Sequence, residues 1–139
     1  MRMKLVPLGT MVGQLRRPFV LEGTPAGTRM IFELESGWIE GDRINAKLVG
    51  SSGADWLTVG PDGTGTLDVR MLVETDDGAL VFITYNGRVD LTDPVHVYSA
   101  PRFETGDERY LWLNKIQAVG KGTLSDGGTT LTYELCEVR

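Results

Sequence analysis

The chain has 139 residues, 41% of them apolar and 24% charged, with a formal net charge of −5. That length makes residues 1–139 a single domain able to bury a real core without disulfides or metals. Its acidic balance, with Lys and Arg scattered rather than striped between aromatics, argues against nucleic acid and anionic membranes as partners.

The amino-terminal MRMKLVPLGTMVG starts with positive charge, but Pro7 and Gly9 break its apolar run before it reaches the length of a secretory signal core. No window approaches a membrane span, so a cytoplasmic protein is expected. From there the chain is punctuated by 18 glycines at short, regular intervals. The segments between them are rich in Val, Ile, Leu, Thr, Tyr and Phe, which reads as all-β. Strands are expected at KLVPLGTMVGQL (4–15), RMIFELESGWIEG (29–41), RINAKLVG (43–50) and DWLTVGP (55–61). The turn GPDGTG then leads into TGTLDVRMLVET (64–75), and the turn TDDG into ALVFITYNG (79–87). A looser stretch, RVDLTDPVHVYSAPRFETGDE, precedes a strand within RYLWLNKIQAVGKGTL, the turn SDGG and the closing strand TTLTYELCEVR. No segment keeps a 3.6-residue period, so any helix is one short turn near LTDPV. The lone Cys136 reads as a small buried hydrophobe in the last strand.

About nine strands joined by hairpins form an antiparallel sheet that must cover its own apolar face. A closed or nearly closed barrel resembling the calycins does this and removes exposed edges; a jelly-roll sandwich is the alternative. A barrel of eight to ten strands encloses either packed side chains or one small ligand.

Several short motifs run in order along residues 30–139. They are GWIEG (37–41), GADW (53–56), LDVR (67–70), ETDDGA (74–79), PRFETG (101–106) and YLWLN (110–114). With these the chain resembles the DUF3237 family, also called UPF0311. The resemblance implies a compact single-domain β-barrel and carries no assigned activity.

The residues that could carry chemistry begin in TGTLDVRMLVET. Alternation puts Leu67, Val69, Met71 and Val73 on one face, and Asp68, Arg70, Leu72 and Glu74 on the other. A solvated face with weak cross-strand ion pairs is the ordinary reading of the charged row. The neighbours of that row suggest a pocket instead. Asp55 and Trp56 precede the hairpin, Tyr85 and Asn86 end the next strand, and Tyr110, Trp112 and Asn114 alternate along RYLWLN. Tyr, Trp and Asn make poor core, because each polar tip needs a partner, but they suit a pocket wall. In such a pocket Asp55 or Glu74 is the expected base, its pKa raised by desolvation. Asp68 and Arg70 form the orienting pair, and Tyr85 and Tyr110 donate to a developing oxyanion. Arg102 and Glu104, in PRFETG, are expected at the barrel mouth. His96 stands alone and Cys136 is far from it in the pattern, so no metal site is expected. GKG and GTG lack the helix a phosphate loop needs, and no dinucleotide, kinase or G-x-S-x-G fingerprint is present. No organic cofactor is expected.

The resulting expectation is an isomerase, lyase or cyclase that needs no cofactor and uses carboxylate acid–base chemistry on an aromatic or polyketide-like small molecule. The alternatives are a barrel that binds a small ligand without turning it over, and a structural subunit. A homodimer is expected, with the stripe Val69, Met71, Val73 covering the partner chain.

Overall fold

A computed structural model describes residues 1–139. It contains eleven strands: β1 Leu5–Leu15, β2 Phe19–Thr24, β3 Gly27–Glu40, β4 Asn45–Leu48, β5 Ala54–Val59, β6 Thr64–Thr75, β7 Leu80–Asp90, β8 His96–Ser99, β9 Arg102–Glu104, β10 Ala118–Ser125 and β11 Thr130–Val138. All pairings are antiparallel, and following them in the order β1, β3, β5, β6, β7, β8, β10, β11 returns to β1. This is a closed barrel of eight strands. Three short strands complete it: β4 bridges β3 and β6 beside β5, β9 extends β7 beside β8, and β2 pairs only with β3, outside the ring.

The turns follow from their residues. Gly63, Gly78, Gly127 and Gly128 end the three hairpin turns in the left-handed region, where a side chain would be strained. LTDPV forms turns rather than a helix. Three strands lie outside the eight segments placed from sequence: β8 and β9, within the looser stretch, and β2, within FVLEGT.

Of the strand predicted within RYLWLNKIQAVGKGTL, the second half is β10 and the first half is helical. Glu108–Lys115 is a 3₁₀ helix, started by Asp107, whose carboxylate accepts the Arg109 N–H at 3.0 Å. A helix of three residues per turn breaks the two-residue alternation assumed for Tyr110, Trp112 and Asn114. It plugs one end of the barrel with Leu113, which is 0% exposed. The Tyr110 hydroxyl donates to Asp77 Oδ1 at 2.9 Å in the β6–β7 turn, and the Arg43 guanidinium lies 4.7 Å from the Trp112 ring centroid.

The interior is filled by alternate residues of the long strands, including Val69, Met71 and Val73 of β6, Val81 and Ile83 of β7, and Leu131, Tyr133 and Leu135 of β11. Magnitudes decide which face of β6 turns inward. Burying Leu67, Val69, Met71 and Val73 contributes roughly 1.5–3 kcal/mol each, whereas an exposed ion pair contributes about 1 kcal/mol at most. The apolar row is therefore inside, and Asp68, Arg70 and Glu74 are exposed on the outer wall. The stripe Val69, Met71, Val73 is consumed by the core and cannot cover a partner chain, which corrects that expected interface. Cys136 lies between the buried Leu135 and Glu137 and is half-buried rather than in the core.

Candidate functional site

The barrel interior keeps one cavity of about 40 Å³. Its origin lies in two glycines. Gly13 of β1 and Gly37 of β3 are register partners, so no side chain fills the wall between them. Immediately beyond, Gln14 pairs with Ser36 and Leu15 with Leu34; Glu35 is the extra residue of a β-bulge. Most of the lining is apolar, from residues such as Met11, Leu34, Leu67, Val69 and Met71. The polar exceptions are Asp55, Tyr85 and Tyr133, and no Lys, Arg or His reaches the wall.

Asp55 is aimed inward by a local opening of the β5–β6 ladder. The strands pair at Asp55 with Val69 and again at Thr58 with Thr66, with no pairing between. The Asp68 N–H donates to Asp55 Oδ1 at 3.0 Å, and the Trp56 carbonyl accepts from Arg29 Nη1 at 3.0 Å. Two backbone groups of the interrupted ladder are thus satisfied by side chains, and the carboxylate is fixed by the strand it faces. Burial, opposed by that single N–H and reinforced by the charge of Asp68, raises the Asp55 pKa from 3.8 to about 6.

The two phenols meet edge to face, with ring centroids 5.7 Å apart and planes at 79°. Burial, above all, raises both hydroxyl pKa values, and the charge of Asp55 adds to the rise in each. Tyr133 needs glycines beside it. A Cβ at Gly122 would stand 2.8 Å from Tyr133 Cε1, and one at Gly120 3.1 Å from Cδ1. These two positions of β10 are therefore closed to larger residues while the ring lies there. Alternation within TLTYELCEV, which places Leu131, Tyr133 and Leu135 on one face, was the signal that could have marked Tyr133 in advance.

Of the residues singled out from sequence, the structure brings Asp55 and Tyr85 together at the cavity and distributes the others elsewhere. Asp68 and Arg70 point outward, and Arg70 lies 4.7 Å from the Trp56 ring centroid, so Trp56 is an outer-wall residue rather than a pocket wall. Glu74 faces outward and is the register partner of Lys47. Glu104 is exposed on β9, opposite Phe82, and does not reach the cavity. Tyr110 and Trp112 hold the 3₁₀ plug. Asn114 clamps the backbone of Thr105, accepting from its N–H at 2.8 Å and donating to its carbonyl at 2.9 Å. Two of the polar tips that seemed to demand a ligand, the Tyr110 hydroxyl and the Asn114 amide, thus have local partners.

Known proteins resemble this chain along most of its length. The family described as protein of unknown function (DUF3237) matches residues 3–138. A UPF0311 protein of Rhodopseudomonas palustris is 31% identical over 109 residues, 68% of this chain and 71% of that protein. The hydroalkoxylation enzyme phnH of Penicillium herquei is 29% identical over 102 residues, 73% of this chain and 62% of that enzyme. Among solved structures, a β-barrel-like protein of Acinetobacter baumannii AYE superposes with a TM-score of 0.88 at 27% identity, covering 100% of this chain and 98% of the other. An enzyme from Penicillium herquei superposes with a TM-score of 0.72 at 25% identity, covering 98% and 93%. The barrel, its sequence motifs and these matches agree: the chain belongs to the DUF3237 family of proteins, also called UPF0311.

Proposed function

We propose that the protein is a small-molecule enzyme of the isomerase, lyase or cyclase type, working by acid–base catalysis from Asp55. The reaction class favoured is addition of a hydroxyl across a carbon–carbon double bond, or the reverse elimination. One observation carries the reading: a buried carboxyl with no cation beside it, raised to about 6, in an otherwise apolar cavity. At that value the group is ionised at neutral pH and still readily reprotonated, as a base that must return its proton requires. The likeness to a hydroalkoxylation enzyme supports the same class.

The steps balance without an oxidant or reductant. The Asp55 carboxylate takes the substrate hydroxyl proton, and the oxygen bonds to the β-carbon of an alkene conjugated to a carbonyl. The π pair moves to the carbonyl oxygen as an enolate, and protonated Asp55 then delivers its proton to the α-carbon. One O–H and one C=C are consumed, and one C–O and one C–H are formed. A phenol at the cavity, Tyr85, donates to the oxygen on which charge develops. The substrate is aromatic or polyketide-like in this reading, because the walls that receive it are apolar.

The test uses phenols that carry an enone side arm, incubated in D2O and followed by NMR for loss of the alkene and entry of one deuteron at the α-carbon. Asp55→Asn keeps the Oδ1 acceptor for the Asp68 N–H, so the fold is retained. Turnover should fall by about 10²–10⁴-fold, the usual contribution of a general base. Undiminished turnover in this variant, or none of the class converted by the wild type, contradicts the proposal. Binding that survives in the variant while neither protein turns anything over identifies the second reading, a ligand-binding barrel, which the predominantly apolar lining supports.

A further inference from the structure

The interior cavity holds only part of a polyketide-like molecule. At ~10–15 Å³ of such volume per water and ~30 Å³ of liquid per water, its 40 Å³ gives room for about three waters, or roughly 100 Å³ of matter. A reacting hydroxyl, alkene and carbonyl fit there; the aromatic body that carries them does not. Room for that body lies across one strand. Glu35, Trp38 and Glu40 of β3, Lys47 and Leu48 of β4, and Asp76 line an outer cleft of about 500 Å³. Gly37, Trp38 and Ile39 border both spaces, and at Gly37 the wall between them has no side chain.

The wall is also unpaired there. β3 pairs with β5 over Thr28–Glu33 and with β4 over Trp38–Glu40, so residues 34–37 have no register partner on that edge. Glu35, the extra residue of the bulge, falls in the same stretch. Two leucines close the gap. A Cβ at Gly53 would stand 2.6 Å from Leu34 Cδ1 and 3.1 Å from Leu48 Cδ1, so these side chains meet beside that glycine. Leu34 belongs to the cavity and Leu48 to the cleft. Leu48 is only half-buried, and partly exposed side chains change rotamer rapidly.

We infer that the substrate enters between β3 and residues 48–53 and lies across the wall, its reacting arm beside Asp55 and its aromatic body in the outer cleft against Trp38. The inference deepens the acid–base reading and rests on it for turnover. The cleft also sets the chemistry of the body. Three carboxylates, Glu35, Glu40 and Asp76, face one ammonium, Lys47. An uncharged, hydroxylated ring suits that field, and an anionic one is repelled.

The probe is a naphthol carrying a saturated 3-oxobutyl arm, which binds without reacting, and its anionic counterpart is the naphthoic acid with the same arm. Two NMR signals report the two spaces: the Trp38 indole N–H, assigned by its loss in Trp38→Phe, and the Met11 methyl, assigned by its loss in Met11→Leu. In the wild type both should move together with one Kd, and the acid should bind at least tenfold more weakly. Leu48→Trp and Gly37→Val each narrow the passage and should weaken binding at least tenfold, whereas Leu48→Ala should speed association several-fold. Because a blocking variant can misfold, each is compared at its own melting temperature, and Leu48→Ala decides if both blocks unfold. Movement of one signal without the other, movement of neither, equal binding of the acid, wild-type affinity in a folded blocking variant, or unchanged association in Leu48→Ala overturns the inference. The two readings fail separately. A probe bound across the wall by a protein that converts no enone leaves this subsite standing and removes the reaction. Turnover that needs Asp55 but is untouched by Leu48→Trp and Gly37→Val does the opposite.

Discussion

Glu137 and Asp55 are both carboxylates withdrawn from water on interior-facing positions, and the barrel treats them in opposite ways. Glu137, its side chain 5% exposed near the plugged end, lies 3.3 Å from Arg43 and also bonds Arg139. The Arg139 bond first, and Arg43 with it, hold its carboxyl below the usual range. Asp55 has one backbone N–H and no cation, and burial lifts it to about 6. A buried charge is expensive unless paired, so a paired one is accounted for by structure alone. An unpaired one, kept beside a cavity, is the arrangement expected of a group that exchanges protons.

The contrast can be broken or sharpened in four ways. The largest stability effect belongs to the plugged end. Leu113→Ala should cost about 2–5 kcal/mol in urea unfolding, as deletion of a fully buried side chain does, and should leave the Asp55 titration where it was. Next comes the pH dependence of Asp55. Its folded-state pKa lies above the unfolded value, so the folded chain binds the proton more tightly. The stabilisation is complete below about pH 4 and is lost as pH rises through about 6. Relative to Asp55→Asn, the wild type should therefore lose on the order of 2–3 kcal/mol between pH 4 and 7, read from paired urea titrations. Glu137→Gln should give the opposite slope, because a depressed carboxyl contributes stability above its unfolded pKa and loses it in acid. The deficit of that variant should be greatest at neutral pH and should vanish as pH falls through the folded-state pKa of Glu137. Smallest is Arg70→Ala on the outer wall. Removing its stack on Trp56 should cost under about 1 kcal/mol and should change neither turnover nor the Asp55 titration.

The architecture was largely legible in the sequence, and so were two of the three polar residues of the cavity. Glycine spacing and the turns GPDG, TDDG and SDGG announce hairpins, and alternation in LDVRMLV fixes which residues share a face. The same alternation misled where charge suggested chemistry. It does not say which face is inside, and weighing burial of four apolar side chains against exposed charges settles that in favour of Leu67 to Val73. RYLWLN looked like a strand because Tyr, Trp and Leu favour strands, yet Asp107 caps a 3₁₀ turn there and converts three supposed wall residues into a plug. Tyr133 was passed over because one tyrosine between leucines reads as core. Its edge-to-face packing on Tyr85 and its place in the cavity wall depend on the closure of the barrel, a property of three dimensions. The cavity itself depends on Gly13 facing Gly37, a register that single-sequence reading does not fix.

The most direct test of the account is the titration of the Asp55 side-chain carboxyl by carbon-detected NMR in the folded wild-type chain, assigned by its absence in Asp55→Asn. The account predicts a midpoint near pH 6. A midpoint at or below about 4, the range of an ordinary hydrated aspartate, would mean that the group is solvated or paired, and would contradict its role as the proton-transferring residue.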